Sequence, residues 1–366
     1  MNARLSLAML SLSAVIACSG TSATPPTSVQ RSYNGTASVG DFLTIIVDSA
    51  AHTISYVNRS NSDSGTVPYT VNSDGTYSLN DPTGNLVTAY EIPNYAMIIQ
   101  ATKTGPTHNT VSLVTAVESG QISMATWSGH TYNYMQFRTA AGGLEVGSVS
   151  VLTAGGVSGK SYWPDGAMNG SGAFNTLSSS ILSTPPVADP SGTFLTAPDQ
   201  GGTTDYIFGT ANGQFLVDTQ NGAILGFQQA LSKNLDPSVA GTYTATLYQK
   251  TGANTGMGNI ETGTPSLTNA TITIDAAGNA VIKDSHATTL ASGVLAAVAD
   301  TNYLEGVGKL TDPCFGMFTF RTTTASSQED VFMTFQGRAA LLSSFTRPLV
   351  SGPGSTYDYF YGVGLH

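Results

Sequence analysis

Apolar and polar residues alternate in short runs along most of the chain from Tyr33 onward. The segment DFLTIIVD at 41–48 is one example, because Leu43, Ile45 and Val47 fall on the same face of an extended strand. Turn signals such as NSDG separate these runs at intervals of roughly 8–12 residues. The pattern predicts an all-β fold built from antiparallel meanders, arranged as barrels or sandwiches.

The strength of this pattern varies along the chain and suggests a division into regions. A first antiparallel β domain is predicted at 33–155 and a second at 239–366. Between them, a Gly- and Pro-rich middle region at 156–238 is predicted to hold a few strands and at most one or two short helices. The apolar spacing in AFNTLSSSIL predicts one such helix. A similarity between segments 69–81 and 272–284 leaves open whether the two β domains arose by duplication.

Residues 1–17 have the features of an export signal. Arg4 precedes a charge-free run from Leu5 to Ile16, and small residues follow that run. The run is shorter than the about 20 apolar residues that a membrane-spanning helix needs. We therefore interpret it as a signal peptide rather than as a transmembrane segment.

The segment VIAC, which ends at Cys18, resembles the lipobox of bacterial lipoproteins. The resemblance covers only the signal region. It implies that 1–17 are removed, that Cys18 carries lipid, and that 18–32 form a flexible tether. Because Ser19 follows the cysteine, it also implies sorting to the outer membrane of the cell envelope. The alternative is an ordinary secretory signal cleaved near SATP, which would discard Cys18.

Composition agrees with an exported β protein. Only 10% of the residues are charged, whereas there are 40 Gly and 16 Tyr, which suits strands joined by many turns. Of the two cysteines, Cys314 has no partner in its own chain if Cys18 is lipidated, and it is predicted to be buried and unreactive. The formal net charge of −10 gives no basic surface for nucleic acid. Membrane attachment is therefore predicted to depend on the lipid alone.

The segment AGGVSGKS at 154–161 fits a loose form of the phosphate-binding loop, with Lys160 and Ser161 at the positions that contact phosphate and magnesium. Such a loop opens a helix, whose N-terminal amides bind the phosphate. Pro164 and Gly166 disfavour a helix in the segment that follows. We therefore predict a Gly-rich link without a nucleotide site, and no cofactor.

Metal and catalytic motifs are not recognisable in the sequence. The five histidines are scattered, and the Asx-rich turns lack the terminal Glu of a calcium loop, so no metal site is predicted. Structural calcium in those turns is left open. The carboxylates that could pair as in a glycoside hydrolase are Glu91, Glu118, Glu145 and Asp165, but their separation does not follow from the sequence.

Aromatic residues concentrate in TWSGHTYNYMQFR at 126–138, which together with the preceding QISMATW run is predicted to form strand, turn and strand. Flat rings beside hydrogen-bonding groups can stack on sugars or other small ligands. Segment EIPNY at 91–95 adds further groups of this kind. The candidate ligand-binding residues are Trp127, His130, Tyr132, Tyr134, Arg138 and Trp163. The same rings also suit a sheet core, because Tyr and Trp are favoured in strands.

These observations lead to two main hypotheses. The first is a non-catalytic, lipid-anchored envelope protein that binds a glycan, a small ligand or an envelope partner. The second is an exported hydrolase that acts on envelope polysaccharide. A purely structural surface protein is a third alternative. Converging carboxylates in a cleft would favour the hydrolase, whereas exposed aromatic and polar groups would favour binding.

Overall fold

The structure is a computed structural model, and it describes residues 29–82, 86–102, 111–138, 144–152, 156–162, 174–177, 186–198, 203–219, 222–253, 264–298, 314–350 and 356–366. Within these ranges the chain forms 26 strands in three sheets, together with one four-residue α-helix and one 3-10 turn. All strand pairs are antiparallel, which confirms the predicted all-β meander class. No helix in these ranges has the length and apolar character needed to cross a membrane.

The first sheet is a closed barrel, in which each strand pairs with the next and β8 pairs back with β1. Its strands are β1 (Gln30–Ala37), β2 (Phe42–Asp48), β3 (Thr53–Asn58), β4 (Ser64–Val71), β5 (Tyr77–Leu79), β6 (Leu86–Ile92), β7 (Ala96–Ala101) and β8 (Ser112–Glu118). Alternation of apolar residues gives the barrel its own core, as the sequence pattern requires.

A nine-stranded second sheet follows the helix α1 (Met124–Trp127). Its strands are β9 (Thr131–Arg138), β10 (Leu144–Val151), β11 (Val157–Tyr162), β12 (Phe174–Leu177), β13 (Val187–Ala188), β14 (Leu195–Pro198), β15 (Thr204–Gly209), β16 (Gln214–Thr219) and β17 (Gly222–Gln228). The first strand of this sheet, β9, pairs with its last strand, β17. Among the described residues, no hydrogen-bonded ladder joins β12 to β13, and we call this interruption the seam of the second sheet.

The third sheet begins after the 3-10 turn Pro237–Val239 and repeats this plan with nine strands. They are β18 (Gly241–Ala253), β19 (Ser266–Ile274), β20 (Asn279–Asp284), β21 (Thr289–Val294), β22 (Ala296–Ala297), β23 (Met317–Thr323), β24 (Ser327–Gln336), β25 (Ala339–Pro348) and β26 (Thr356–Leu365). Strand β26 pairs with β18, and the seam of the third sheet lies between β21 and β22. The chain is thus three successive up-and-down meanders.

Sheet boundaries do not follow the predicted regions. Strands on both sides of residue 155 belong to the second sheet, and the middle region supplies β11 to β17. The similar segments 69–81 and 272–284 form β4–β5 and β19–β20. These hairpins are the fourth and fifth strands of the first meander but the second and third of the last, so they are not equivalent in position.

Three local predictions were wrong. The supposed strand in QISMATW contains α1, because Ser123 and Thr126 form a capping box that stabilises a helical turn. The first part of AFNTLSSSIL forms β12, because it pairs along β11; residues 178–182 lie outside the described ranges. The supposed Gly-rich link 157–161 lies in β11.

A shared core joins the three meanders. Phe42 of the barrel stacks on Phe208 of the second sheet with ring centroids 5.1 Å apart. Phe137 of the second sheet lies 4.6 Å from Tyr248 and 5.5 Å from Tyr361, both in the third sheet. The three units therefore bury apolar surface against one another as well as internally.

Each nine-stranded sheet contains a glycine covered by an aromatic ring from another strand. Gly226 faces Phe215 across the β16–β17 pair, and a Cβ at this glycine would overlap the ring. A Cβ at Gly293 on β21 would lie 2.5 Å from Cδ2 of Phe320 on β23. The two residues of β22 pair with Phe318 and Thr319 only, so Phe320 lies just beyond this ladder and its ring reaches β21 across the seam of the third sheet.

Candidate functional site

Trp127 ends the helix α1 and points into the second sheet. Its side chain is buried, and its ring lies 6.3 Å from that of Phe215. Among the described residues, its indole Nε1 has no hydrogen-bond partner. The ring therefore contributes to packing and offers no face to solvent in this conformation.

Tyr132 and Tyr134, both on β9, also point into the second sheet and are 4% exposed each. The Tyr132 hydroxyl donates to the backbone oxygen of Trp127 over 3.3 Å, and burial raises the Tyr132 pKa to about 12. The Tyr134 hydroxyl donates to Oε1 of buried Glu145. Together with Trp127, these residues form part of one interior cluster rather than an open aromatic surface.

Of the remaining predicted binding residues, His130 borders this cluster, with its ring centroid 6.3 Å from that of Tyr132. His130 is exposed at the start of β9, and its Nδ1 lies 3.2 Å from Nε2 of Gln228. Arg138 ends β9, but its side chain is outside the described part, as is all of Trp163. The proposed role of the six residues in ligand binding stays a prediction.

The predicted carboxylate Glu91 belongs to a buried network at one end of the barrel. Nε and Nη2 of Arg31 donate to its two oxygens over 2.6 and 2.8 Å. The hydroxyls of Tyr33 and Tyr77 donate to the same carboxylate over 2.5 and 2.7 Å. Tyr69 stacks on Tyr77 with ring centroids 4.4 Å apart. The network fills this end of the barrel with bonded side chains.

Electrostatics hold Glu91 in its charged form. Burial alone raises the pKa of this carboxyl, but hydrogen bonds from Arg31, Tyr33 and Tyr77 outweigh burial and leave the pKa below its usual value. Burial and the bond to Glu91 raise the pKa of both tyrosines. An ionised carboxylate held by four donor groups is already saturated with hydrogen bonds, which suits a structural role.

Other buried carboxylates also have hydrogen-bond partners, but these partners differ from those of Glu91. Oδ1 of Asp218 accepts from the Thr36 hydroxyl over 2.7 Å across the contact of barrel and second sheet. Burial raises the pKa of Asp218 well above its ordinary value, and the Thr36 bond opposes that rise. Asp330 pairs with Arg321 at 2.5 Å. Of the other predicted carboxylates, Glu118 is exposed and Asp165 lies outside the described ranges.

Lys160 and Ser161 lie in β11, between two neighbouring strands. They pair with Ser148 and Gly147 of β10 on one side and with Thr176 and Asn175 of β12 on the other. Their backbone is therefore extended, whereas a phosphate-binding loop needs a turn whose amides converge on one point.

A polar groove of about 470 Å³ opens where turns of the barrel, second sheet and third sheet meet, and we call it the junction groove. Its lining residues are Tyr95, Ala211, Asn212, Gln228, Gln336, Gly337 and Arg338. Tyr95 belongs to the β6–β7 turn, Asn212 to the β15–β16 turn, and Arg338 to the β24–β25 turn. The groove thus draws on all three meanders.

Hydrogen bonds join two walls of the junction groove, the β6–β7 turn and the β24–β25 turn. The Tyr95 hydroxyl donates to the Gln336 backbone oxygen and accepts from the Arg338 backbone amide over 3.1 Å. A Cβ at Gly337 would lie 2.9 Å from the Tyr95 oxygen, so this contact requires glycine. Nε of Arg338 donates to the His366 backbone oxygen over 2.6 Å. The guanidinium is therefore positioned by its backbone and by one of its nitrogens.

Sequence reasoning found only parts of this groove. Segment EIPNY contains Tyr95, and His130 contacts Gln228 at the rim. Asn212, Gln336 and Arg338 were missed, because each lies in or beside a short turn with no pattern beyond that of a hairpin. The segments TANG at 210–213 and QGR at 336–338 can be recognised as polar turns at the ends of strands. Their sequences do not show that the two turns lie next to each other in the fold.

Neither a protein-family model nor a curated protein matches the chain. Among solved structures, a DUF3598-family protein of unknown function from Nostoc punctiforme matches at 10% identity, covering 66% of this chain and 97% of that chain, with a TM-score of 0.23. A double mutant of the vaccine antigen transferrin binding protein B from Haemophilus parasuis matches at 8% identity, covering 92% and 75%, with a TM-score of 0.20. A single mutant of that antigen matches at 9% identity, covering 89% of this chain and 66% of that chain, with a TM-score of 0.19. These overlaps are too low to carry an argument about function.

Proposed function

We propose that the protein is an exported, lipid-anchored envelope protein that binds a ligand or partner without transforming it. The observation that carries this proposal is the junction groove, whose lining includes the amide side chains of Asn212, Gln228 and Gln336 and the guanidinium of Arg338. Such groups hold a ligand by hydrogen bonds. The anchor rests on the resemblance of VIAC to a lipobox and on the polar segment 18–32 that follows it.

The arrangement of carboxylates supports binding over hydrolysis. A glycoside hydrolase needs two carboxyl groups on opposite sides of one bond, about 5–10 Å apart. Glu91 is enclosed in the barrel and bonded to Arg31, whereas Glu145 is enclosed in the second sheet and bonded to Tyr134. Each of these carboxylates is thus engaged by a protein group in a separate interior.

Detergent-phase partitioning of the full chain made in a Gram-negative host tests the anchor. The wild type and the matched control Ser19→Ala should enter the detergent phase, because both keep the cysteine that would carry lipid. Cys18→Ser should remain in the aqueous phase. Partitioning of Cys18→Ser into detergent would overturn the anchor.

An assay for new reducing ends tests the non-catalytic part of the proposal. Purified protein incubated with envelope polysaccharide should release none above a boiled sample. Release that disappears in Glu91→Gln or Glu145→Gln would instead identify a hydrolase. Melting curves of both variants would separate lost chemistry from lost folding.

A further inference from the structure

We infer that the junction groove binds a saccharide that carries a carboxylate, such as a uronic-acid disaccharide. This inference rests on the proposed binding function and gives it a ligand class. Three properties of the groove support this ligand class: the terminal nitrogens that Arg338 presents, the amide side chains of the lining, and the groove volume.

Arg338 is an exposed cation in an acidic chain. Its Nε donates to the main-chain oxygen of His366 over 2.6 Å, and among the described residues its two terminal nitrogens have no hydrogen-bond partner. Arg31 and Arg321 differ in that each contacts a side-chain carboxylate, that of Glu91 or Asp330. A guanidinium fixed by one nitrogen presents its terminal nitrogens as a planar fork, which matches a carboxylate.

Amide side chains supply the rest of the polar lining. Asn212, Gln228 and Gln336 each carry one acceptor and two donors, so they can bond to hydroxyl groups in either direction. Among the side chains that line the groove, Ala211 and the Tyr95 ring are the apolar surfaces. A peptide ligand would need apolar pockets for its side chains, whereas a saccharide presents hydroxyls around its rings. The lining therefore favours a sugar.

The dimensions agree with a small oligosaccharide. A volume of about 470 Å³ lies within the range of small-ligand sites, about 300–1,000 Å³. Two of the three turns that form the walls are joined by hydrogen bonds of Tyr95, so this part of the groove is held in place without a ligand. Preformed walls reduce the entropy lost on binding.

Calorimetric titration with digalacturonic acid and with its uncharged counterpart, a digalactose of the same linkage, tests the inference. The wild type should bind the acid about tenfold more tightly than the neutral sugar, because one charged fork is satisfied only by the acid. Arg338→Gln should lose that preference while keeping weak binding to both sugars. Gln336→Ala should weaken binding to both sugars equally, because it removes hydroxyl contacts.

Lys283→Gln is the matched control, since Lys283 is an exposed cation on β20 that does not line the groove. It should leave both affinities unchanged. Equal binding of the two sugars by the wild type, binding of neither, or an undiminished preference in Arg338→Gln would each overturn the inference. Melting curves of all variants check folding.

Failure of the saccharide inference and failure of the proposed function give different results. Loss of the carboxylate preference overturns only the ligand class, while Cys18-dependent partitioning and absence of hydrolysis would still hold. Partitioning that does not depend on Cys18, or release of reducing ends, overturns the proposed function whatever the groove binds.

Discussion

The barrel and the second sheet share an up-and-down plan but differ in how they close and in what they bury. Eight strands close the barrel by hydrogen bonds, whereas the described strands of the second sheet leave a seam between β12 and β13. The barrel buries an ion pair with two tyrosine partners, while the second sheet buries the Tyr134–Glu145 pair and Trp127, whose indole nitrogen has no hydrogen-bond partner in the described ranges. The same meander plan thus accommodates a buried carboxylate in both units, held by an arginine and two tyrosines in the barrel and by a tyrosine in the second sheet.

The largest effect is expected in the second sheet. Trp127→Ala should lower the free energy of unfolding by about 3–5 kcal/mol, because it leaves a cavity in the core. Trp127→Phe should cost less than about 1.5 kcal/mol, since it keeps most of the ring and removes a donor without a partner. Chemical denaturation measures both. A stable Trp127→Ala variant that has lost ligand binding would instead identify Trp127 as a binding residue.

In the barrel, Arg31→Met should cost about 3 kcal/mol, because it leaves Glu91 buried without its cation. The double variant Arg31→Met with Glu91→Gln should recover part of this loss, since no unpaired charge remains. Lys283→Met, a change of an exposed cation, should stay within about 0.5 kcal/mol. If Arg31→Met changes the free energy of unfolding as little as Lys283→Met does, the buried ion pair does not stabilise the barrel.

Substitution of the covered glycine tests how densely the second sheet is packed. Gly226→Ala should cost about 1–3 kcal/mol, because the new Cβ displaces the Phe215 ring. Phe215→Leu in the same chain should relieve part of that cost, and the coupling is read from a double-mutant cycle. Additive effects would contradict direct contact between the two positions.

Asp218, at the contact of barrel and second sheet, should make stability depend on pH. Because its folded pKa is raised, its contribution is fully present below the unfolded pKa of about 3.9 and is lost as pH rises through the folded pKa. Asp218→Asn should therefore melt about 2–4 °C higher than the wild type at pH 8, which corresponds to about 1 kcal/mol, with a smaller difference near pH 4. An equal difference at both values would exclude titration of Asp218 as the cause.

The smallest effect is expected beside the seam of the second sheet. Lys160→Ala should change stability by no more than about 0.5 kcal/mol, because strand pairing uses the backbone. ATP with magnesium should not shift the melting temperature of the wild type. A shift that disappears in Lys160→Ala would restore the phosphate-loop interpretation.

Sequence patterns predicted strands well where alternation was regular, as in DFLTIIVD, and predicted that Cys314 is buried. They failed where a local signal opposed the apolar pattern. Ser123 and Thr126 cap a helical turn inside a strand-like run. The spacing of apolar residues in AFNTLSSSIL predicted a helix, whereas Phe174–Leu177 form β12, which pairs with β11. The grouping of strands into three meanders could not be predicted, because closure depends on pairing between residues nearly 100 positions apart, as in β9 with β17.

The candidate site was harder to predict than the fold, for a physical reason. Buried tyrosines and binding tyrosines have the same sequence pattern in a strand, and only the sheet face that they occupy separates them. Tyr132 and Tyr134 occupy the inner face. The junction groove combines turns such as those of Tyr95 and Arg338, which are 243 residues apart. The sequence around Tyr95 and the sequence around Arg338 contain no pattern that predicts their contact.

Gly226 and Gly293 each share one space between strands with an aromatic ring, that of Phe215 or Phe320. The missing side chain on one strand leaves room for a ring from another strand to come close to its backbone. The space at these points is thus filled jointly by two residues, Phe215 with Gly226 and Phe320 with Gly293. A change at one member becomes tolerable only after the other has become smaller, which fixes the order in which such substitutions can accumulate.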